Sequence, residues 1–212
     1  MADKEKIMGT IKNGKSNGKT GKIVTYELLG RTVTRTVGKN ANPPTEAQLA
    51  SREGVKIGNK FMEPIKAFIK VSLKTVAAKY QMYPHNRMMS NLKLNALQGT
   101  YPEFSINYAN LLVAEGNLPV AENPKVEKTD AGLNFTWDKV KAFPRNIDQV
   151  MLMAYFSDLN KAVFVTAGAK RSSGEDKLEI NPSLINEKME VYIAFISEDR
   201  NSVSNSTYLG QL

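Results

Sequence analysis

Met189-Glu190-Val191-Tyr192-Ile193-Ala194-Phe195-Ile196 is the stretch from which the fold can be read. Residues two apart share one face of a strand. Val191, Ile193 and Phe195 make one face, and Tyr192, Ala194 and Ile196 the other. Both faces are apolar, as in a strand buried at the centre of a sheet. Six further strand-like runs accompany it, at 125–129, 133–137, 149–156, 162–167, 177–180 and 207–209, and 189–196 completes the set. Turn-forming groups separate them: Asp130-Ala131-Gly132, Ser172-Ser173-Gly174 and Glu198-Asp199-Arg200-Asn201. About seven short strands in ~95 residues indicate a small antiparallel sandwich. Trp137 and Tyr192 are its expected core aromatics.

Upstream the pattern changes. Gly116-Asn117-Leu118-Pro119 and Glu122-Asn123-Pro124 read as a linker. Before them, Ile57, Phe61, Ile65, Ile69, Leu73 and Ala77 recur every four residues, with lysines mostly elsewhere, which is the pattern of an amphipathic helix. Asn42-Pro43-Pro44 precedes it, and Thr45 with Gln48 forms a capping-box pattern. Pro64 interrupts the run, so a break is expected near Glu63. A second helix is expected over 86–97 and a strand over 105–113. Met62, Met82, Met88 and Met89 read as core filler.

Further upstream, Lys22 to Val37 reads as a β-hairpin turning at Gly30, with Val33 and Arg35 on one face of its second strand and Thr32, Thr34 and Thr36 on the other. Neither is a clean core face, which suits an edge hairpin or one that packs on a partner. Residues 7–22, rich in Gly, Lys and Asn, read as turns with no buried face. The expected organisation is a basic α+β domain over 1–115 (β-hairpin plus long amphipathic helices), a linker over 116–124 and an all-β sandwich over 125–212.

Charge follows the same division. The chain carries a net +8. Residues 1–115 hold 14 Lys and 4 Arg against 8 acidic residues, a net +10, and the remainder holds a net −2. A concentrated positive charge favours polyanions or acidic protein faces. The residues assigned to polyanion or partner contact are Lys12, Lys15, Lys19, Lys22, Tyr26, Arg31, Arg35 and Lys39. Only Tyr26, beside Arg31 and Arg35, provides the basic–aromatic interleaving that single strands favour.

Chemistry is sparsely represented. Cysteine is absent and His85 is the single histidine. A thiolate zinc site, a cysteine nucleophile and a two-histidine metal site are therefore excluded. Gly9-Thr10-Ile11-Lys12-Asn13-Gly14-Lys15-Ser16 matches the phosphate-loop pattern, but neither a preceding buried strand nor a following helix surrounds it. Asp158, Asp176 and Asp199 lack calcium-loop spacing. The sequence assigns no catalytic residue, no cofactor, no metal and no small-molecule substrate. Neither a secretory segment nor ~18 consecutive apolar residues occurs, so cytoplasmic synthesis without a signal peptide and no transmembrane segment are expected.

Four stretches carry a resemblance: Met8-Gly9-Thr10-Ile11-Lys12-Asn13-Gly14; Pro43-Pro44-Thr45-Glu46-Ala47-Gln48-Leu49-Ala50-Ser51-Arg52; Gly99-Thr100-Tyr101-Pro102; and Ser204-Asn205-Ser206-Thr207-Tyr208-Leu209-Gly210. In this order they resemble an uncharacterised Bacteroidota family, a domain of unknown function that spans nearly the whole chain. This implies no activity and no site residue. Separately, Trp137 in the second strand and Tyr192 in the penultimate one give the C-terminal part a resemblance to a fibronectin type III or immunoglobulin-like module, at the level of fold alone. The expected function is that of a non-enzymatic structural or interaction protein, a component of a phage particle or phage-like assembly. It would dock through its basic half onto protein partners or copies of itself. The alternative is a nucleic-acid-binding protein using the same half.

Overall fold

The computed structural model describes residues 8–12, 15–38 and 42–212. The chain divides into two units, Met1–Thr45 and Glu46–Leu212.

The first unit is a four-stranded antiparallel meander: β1 (Met8–Lys12), β2 (Lys15–Thr20), β3 (Ile23–Leu28) and β4 (Arg31–Thr36), paired in chain order. The expected hairpin is β3–β4. Its link is Leu29-Gly30, with φ of 49° and 77°. Positive φ at both central residues matches the right-handed twist of the flanking strands. The expectation of turns over 7–22 is corrected, because β1 and β2 lie there. Poor strand formers are held by the ladder they join, since β-propensity depends on context more than on intrinsic preference.

The second unit opens with four helices: α1 (Glu46–Met62), α2 (Lys66–Ser72), α3 (Lys74–Lys79) and α4 (Pro84–Asn91). The break between α1 and α2 falls where Pro64 required it. A π-helical turn, Leu92–Ala96, continues α4, and a short hairpin follows, β5 (Leu97–Thr100) with β6 (Glu103–Ile106). The helix expected over 86–97 thus begins earlier, with Pro84 at its first turn, where a missing N–H costs nothing. The strand expected over 105–113 is confined to β6, and a 3₁₀ turn, Tyr108–Asn110, replaces the rest.

Seven strands complete the unit: β7 (Lys125–Thr129), β8 (Gly132–Thr136), β9 (Gln149–Phe156), β10 (Lys161–Val165), β11 (Glu175–Glu179), β12 (Glu190–Ile196) and β13 (Thr207–Gln211). They form a three-stranded sheet β11-β8-β7 and a four-stranded sheet β10-β9-β12-β13. The second unit is therefore a mixed α and β structure with several antiparallel sheets.

The four-stranded sheet is buried on both faces. Val150, Leu152, Ala154 and Phe156 of β9, with Val191, Ile193 and Phe195 of β12, share a core with Leu133, Phe135, Trp137 and Leu178. The alternate residues Met151, Met153, Tyr155, Tyr192, Ala194 and Ile196 share a second core with Phe61, Ile65, Phe68, Ile69 and Leu73 of the helical region. The result is three layers: helices, four strands, three strands. Tyr192 is thus corrected from a sandwich aromatic to a helix-side one, its hydroxyl donating to the Tyr108 carbonyl at 2.8 Å. Trp137 is in the sandwich core, edge-on to Phe195 with centroids 5.5 Å apart. Met62 and Met88 are fully buried filler.

This layering also corrects the expected boundary at 116–124. A sheet with two apolar faces needs two covers, and the helices of 46–91 supply one. The stretch taken for a linker is packed: Leu118 and Ala121 are buried, and the Leu118 amide donates to the Val203 carbonyl at 3.0 Å. Nearby, the Ser72 hydroxyl donates to the Val113 carbonyl (2.7 Å), and the Val113 amide donates to the Ser206 hydroxyl (3.0 Å). These bonds bind helix, strap and C-terminal strand into one body. The observed division falls instead at Thr45/Glu46.

Candidate functional site

The register of the first sheet sorts its residues into two faces. Met8 pairs with Lys19, Lys19 with Val24 and Val24 with Arg35, which makes one cross-strand row. Tyr26 pairs with Val33, Leu28 with Arg31, and Lys12 with Lys15. Side-chain direction alternates along a strand. Positions 19, 24, 26, 28, 31, 33 and 35 therefore belong to one face, and 18, 20, 23, 25, 27, 32, 34 and 36 to the other.

The two faces differ sharply in chemistry. Among the described side chains, the first holds Lys19, Arg31 and Arg35, together with Tyr26, Val24, Val33 and Leu28, and no acidic residue. The second holds Thr20, Thr25, Thr32, Thr34 and Thr36, with Glu27 as its acidic residue and no lysine or arginine. Its hydroxyls bond locally: Thr25 Oγ1 lies 3.2 Å from Thr34 Oγ1, and Thr32 Oγ1 donates to Glu27 Oε1 at 2.8 Å. Lys19, Arg31 and Arg35 are exposed, whereas Tyr26, Val24 and Val33 are half-buried. Four of the eight sequence-assigned contact residues, Lys19, Tyr26, Arg31 and Arg35, thus share one face, and the side chains of Lys12 and Lys15 lie outside the described residues. Lys22 sits in the Gly21-Lys22 link between β2 and β3, and Lys39 lies outside the described residues.

The unit Met1–Thr45 holds seven Lys and two Arg against three acidic residues, a net +6 of the chain's +8. The excess expected over 1–115 is therefore concentrated in its first 45 residues. The phosphate-loop match is also resolved by the ladder. Gly9 to Lys12 lie on β1 and Lys15 and Ser16 on β2, with Lys15 paired to Lys12 and Ser16 to Ile11. Backbone groups of strand pairs are engaged with each other, and no helix N-terminus follows to add its field.

The second unit's polar groups serve its packing. Burial lifts the Asp148 carboxyl above its ordinary range, an effect that Arg145 and Arg171 partly oppose. Arg145 Nη1 lies 3.6 Å from Asp148 Oδ2. Arg171, itself buried, lies over the Phe195 ring at 3.8 Å, and its carbonyl accepts from Trp137 Nε1 at 2.8 Å. Burial lowers its guanidinium below the ordinary value. Arg87 is held by both Glu115 oxygens and stacks on Tyr80 at 4.7 Å. Burial pushes the Tyr108 phenol up to about 12. His85 is an exposed residue in the first turn of α4. A cleft of about 490 Å³ opens among α3, Leu112 to Asn117 and Asn201 to Asn205. Among the described residues, no three His, Asp or Glu are grouped to hold a metal ion, and no helix is long and apolar enough to cross a membrane.

What sequence reasoning missed is the strand register that unites Lys19 with Tyr26, Arg31 and Arg35. The available signal was the pair of two-residue links Gly21-Lys22 and Leu29-Gly30, which set β2, β3 and β4 antiparallel in chain order. Comparison with curated proteins and with solved structures finds no match. A family model does match, over residues 12–210 and so over nearly the whole chain: the protein belongs to a family of unknown function, DUF6266.

Proposed function

We propose that the protein is a non-enzymatic interaction protein that docks onto an anionic surface of a larger assembly, of the phage-particle kind, through the basic face of its N-terminal sheet. The observation that carries this reading is the segregation itself. Lys19, Arg31 and Arg35 all fall on one face, and the other face is threonine-rich. Scattered solubilising lysines would fall on both. A sheet face with exposed cations and half-buried Tyr26, Val24 and Val33 offers both charge and apolar contact to a partner.

The two-sheet part fits the role of a fibronectin type III-like spacer or binding module. Its three-stranded sheet takes the first, second and fifth of the seven strands. Its four-stranded sheet takes the fourth, third, sixth and seventh in that order, and the two antiparallel sheets share one core, as sandwiches of this architecture do. The helical cover on the four-stranded sheet is an addition to the simple sandwich. In this reading the chain is made in the cytoplasm and incorporated into its assembly there.

Two double variants with the same change in net charge test the docking face. Lys19→Gln with Arg35→Gln removes two charges from the basic face. Thr20→Glu with Thr36→Glu adds two opposite charges to the other face. Elution from immobilised heparin should need clearly less salt for the first pair than for the second. Equal elution would show that only total charge matters and would sink the docking face.

A further inference from the structure

Beyond the docking face, we infer that a cavity of the second unit is a binding site for a small organic anion with an apolar body, of the alkyl phosphate kind. The cavity measures about 560 Å³ and is lined by Lys70 and Val71 of α2, Lys74 of α3, Pro84 of α4 and Arg200 of the turn that follows β12. Small-molecule sites span ~300–1,000 Å³. Two segments distant in the chain thus bring three cations to one cavity.

Each cation is placed by the fold. The Leu73 amide donates to the Ile69 carbonyl at 3.0 Å, and the Ala77 amide to the Leu73 carbonyl at 2.9 Å, so helical spacing carries through from α2 to α3. Lys70 and Lys74 therefore stand one turn apart on one face, which is unfavourable for like charges left to themselves. Arg200 has a φ of 58°, in the left-handed region that favours glycine. Its turn holds it there. The Arg200 amide donates to the Ser197 carbonyl at 2.9 Å, and the Asn201 amide to Asp199 Oδ1 at 3.0 Å. Thr75 Oγ1 of α3 donates to the Asn201 carbonyl at 3.2 Å and ties the turn to the helix. Backbone strain of this kind clusters at functional sites.

No carboxylate answers these charges. Residues 64–102, which supply α2, α3 and α4, contain no Asp or Glu. Glu198 and Asp199 precede Arg200 but line a different cavity, with Arg145 and Asp148. Asp199 is also engaged within its own turn, accepting from the Ser197 hydroxyl and from Asn201 Nδ2. Among the described residues, none of the three cations forms an ion pair. Between the cations the wall is largely apolar, made by half-buried Val71 and Pro84 and by the lysine stems. Inorganic phosphate would leave that wall wet, and a neutral apolar molecule would leave the cations unanswered. A phosphate monoester carries about −1.5 to −2 near pH 7, which suits three cations better than the single charge of a carboxylate. The alkyl part then covers Val71 and Pro84.

The inference is tested on the full chain with anilinonaphthalenesulfonate, an anionic apolar dye whose fluorescence rises on binding, displaced by octyl phosphate, octanoate, octanol or inorganic phosphate. The dye should saturate one site, and octyl phosphate should displace it at the lowest concentration. Lys70→Gln with Arg200→Gln should weaken octyl phosphate about tenfold, the loss expected for a charge-assisted hydrogen bond. Arg200→Gly should also weaken it, while its denaturation midpoint stays level or rises, because φ 58° suits glycine. Lys19→Gln with Arg35→Gln should bind like the parent, so this site and the docking face stand or fail separately. Absence of displacement by octyl phosphate overturns the inference. So does displacement by octanoate, octanol or inorganic phosphate as effective as that by octyl phosphate. Parent-like binding by the Lys70 and Arg200 variants overturns it as well. Co-sedimentation with phosphatidic acid vesicles that depends on Lys70 and Arg200 would transfer the site to a lipid headgroup and overturn the assignment to a free molecule.

Discussion

The sheet β1–β4 and the sheet β10-β9-β12-β13 each have four antiparallel strands, yet they solve opposite problems. β9 and β12 alternate between two apolar sets, and each set is covered, one by helices and one by a second sheet. β3 and β4 alternate between a cationic set and a threonine set, and among the described residues none of the N-terminal unit belongs to either hydrophobic core. A fully buried Phe, Leu or Met contributes about 1.5–3 kcal/mol relative to exposure, so the larger sheet is stabilised by what covers it. The smaller is held chiefly by its ladder and cross-strand pairs, at roughly 0.2–1 kcal/mol per pair. The central strands of one sheet are enclosed on both faces, whereas the other sheet carries exposed cations on one face and threonines on the other.

The contrast can be broken most directly at Phe195, which is fully buried and touches both Trp137 and Arg171. Phe195→Ala should cost about 3–5 kcal/mol in urea denaturation of the second unit; a loss below about 1 kcal/mol would show that the sandwich core is not the main support. Next in size is Gly116, where an added Cβ would stand 2.1 Å from the Val203 carbonyl oxygen. The obstacle is backbone, so Gly116→Ala should cost about 1–3 kcal/mol. An unchanged midpoint would mean that the strap over 116–124 is not tightly seated.

Asp148 gives a smaller effect, visible as a pH trend. Burial raises its carboxyl in the folded protein. The folded state therefore keeps that proton to higher pH than the unfolded chain does. Ionisation begins to cost stability near pH 4, the ordinary carboxylate value, and the full cost is reached above the raised folded value. Asp148→Asn should thus gain on the parent as pH rises from about 4 to 7, measured as the difference in denaturation free energy. A difference that moves the other way would reverse the assignment. The smallest effect belongs to Val33, half-buried on the basic face. Val33→Ala should change amide exchange of β3 by an amount equivalent to about 1 kcal/mol or less. A larger loss would mean that this sheet has a hydrophobic support of its own.

Much of the architecture was legible because strand alternation and turn chemistry are local. The run 149–156 coincides with β9, and 125–129 with β7. The double apolar face of 189–196 announced a buried strand, but not the identity of its second cover, which depends on helices more than a hundred residues away. For the same reason the side of the sheet on which Tyr192 is buried was not readable. Pro119, Pro124 and Gly116 looked like a linker because their composition hides the packing of Leu118 and Ala121. Gly54 and Gly58 were also silent, although a Cβ at Gly58 would meet Met89 Sδ at 2.8 Å, so that helix α1 lies close against α4. At the candidate site the cations were recognisable individually. Their common face was not, because Lys-Ser-Asn-Gly-Lys-Thr over β2 carries almost no strand preference and the register had to come from pairing.

The alternation along β9 also limits how this chain can change in length. Inserting one residue within that strand would exchange Met151, Met153 and Tyr155 with Val150, Leu152 and Ala154 between the two compartments. The bulky, irregular groups would then be pressed into the space shaped for aliphatic ones, and the helices would face a shallower surface. Insertions and deletions in descendants of this sequence should therefore collect in the connections, such as 157–160 and 180–189, while the length of β9 stays constant.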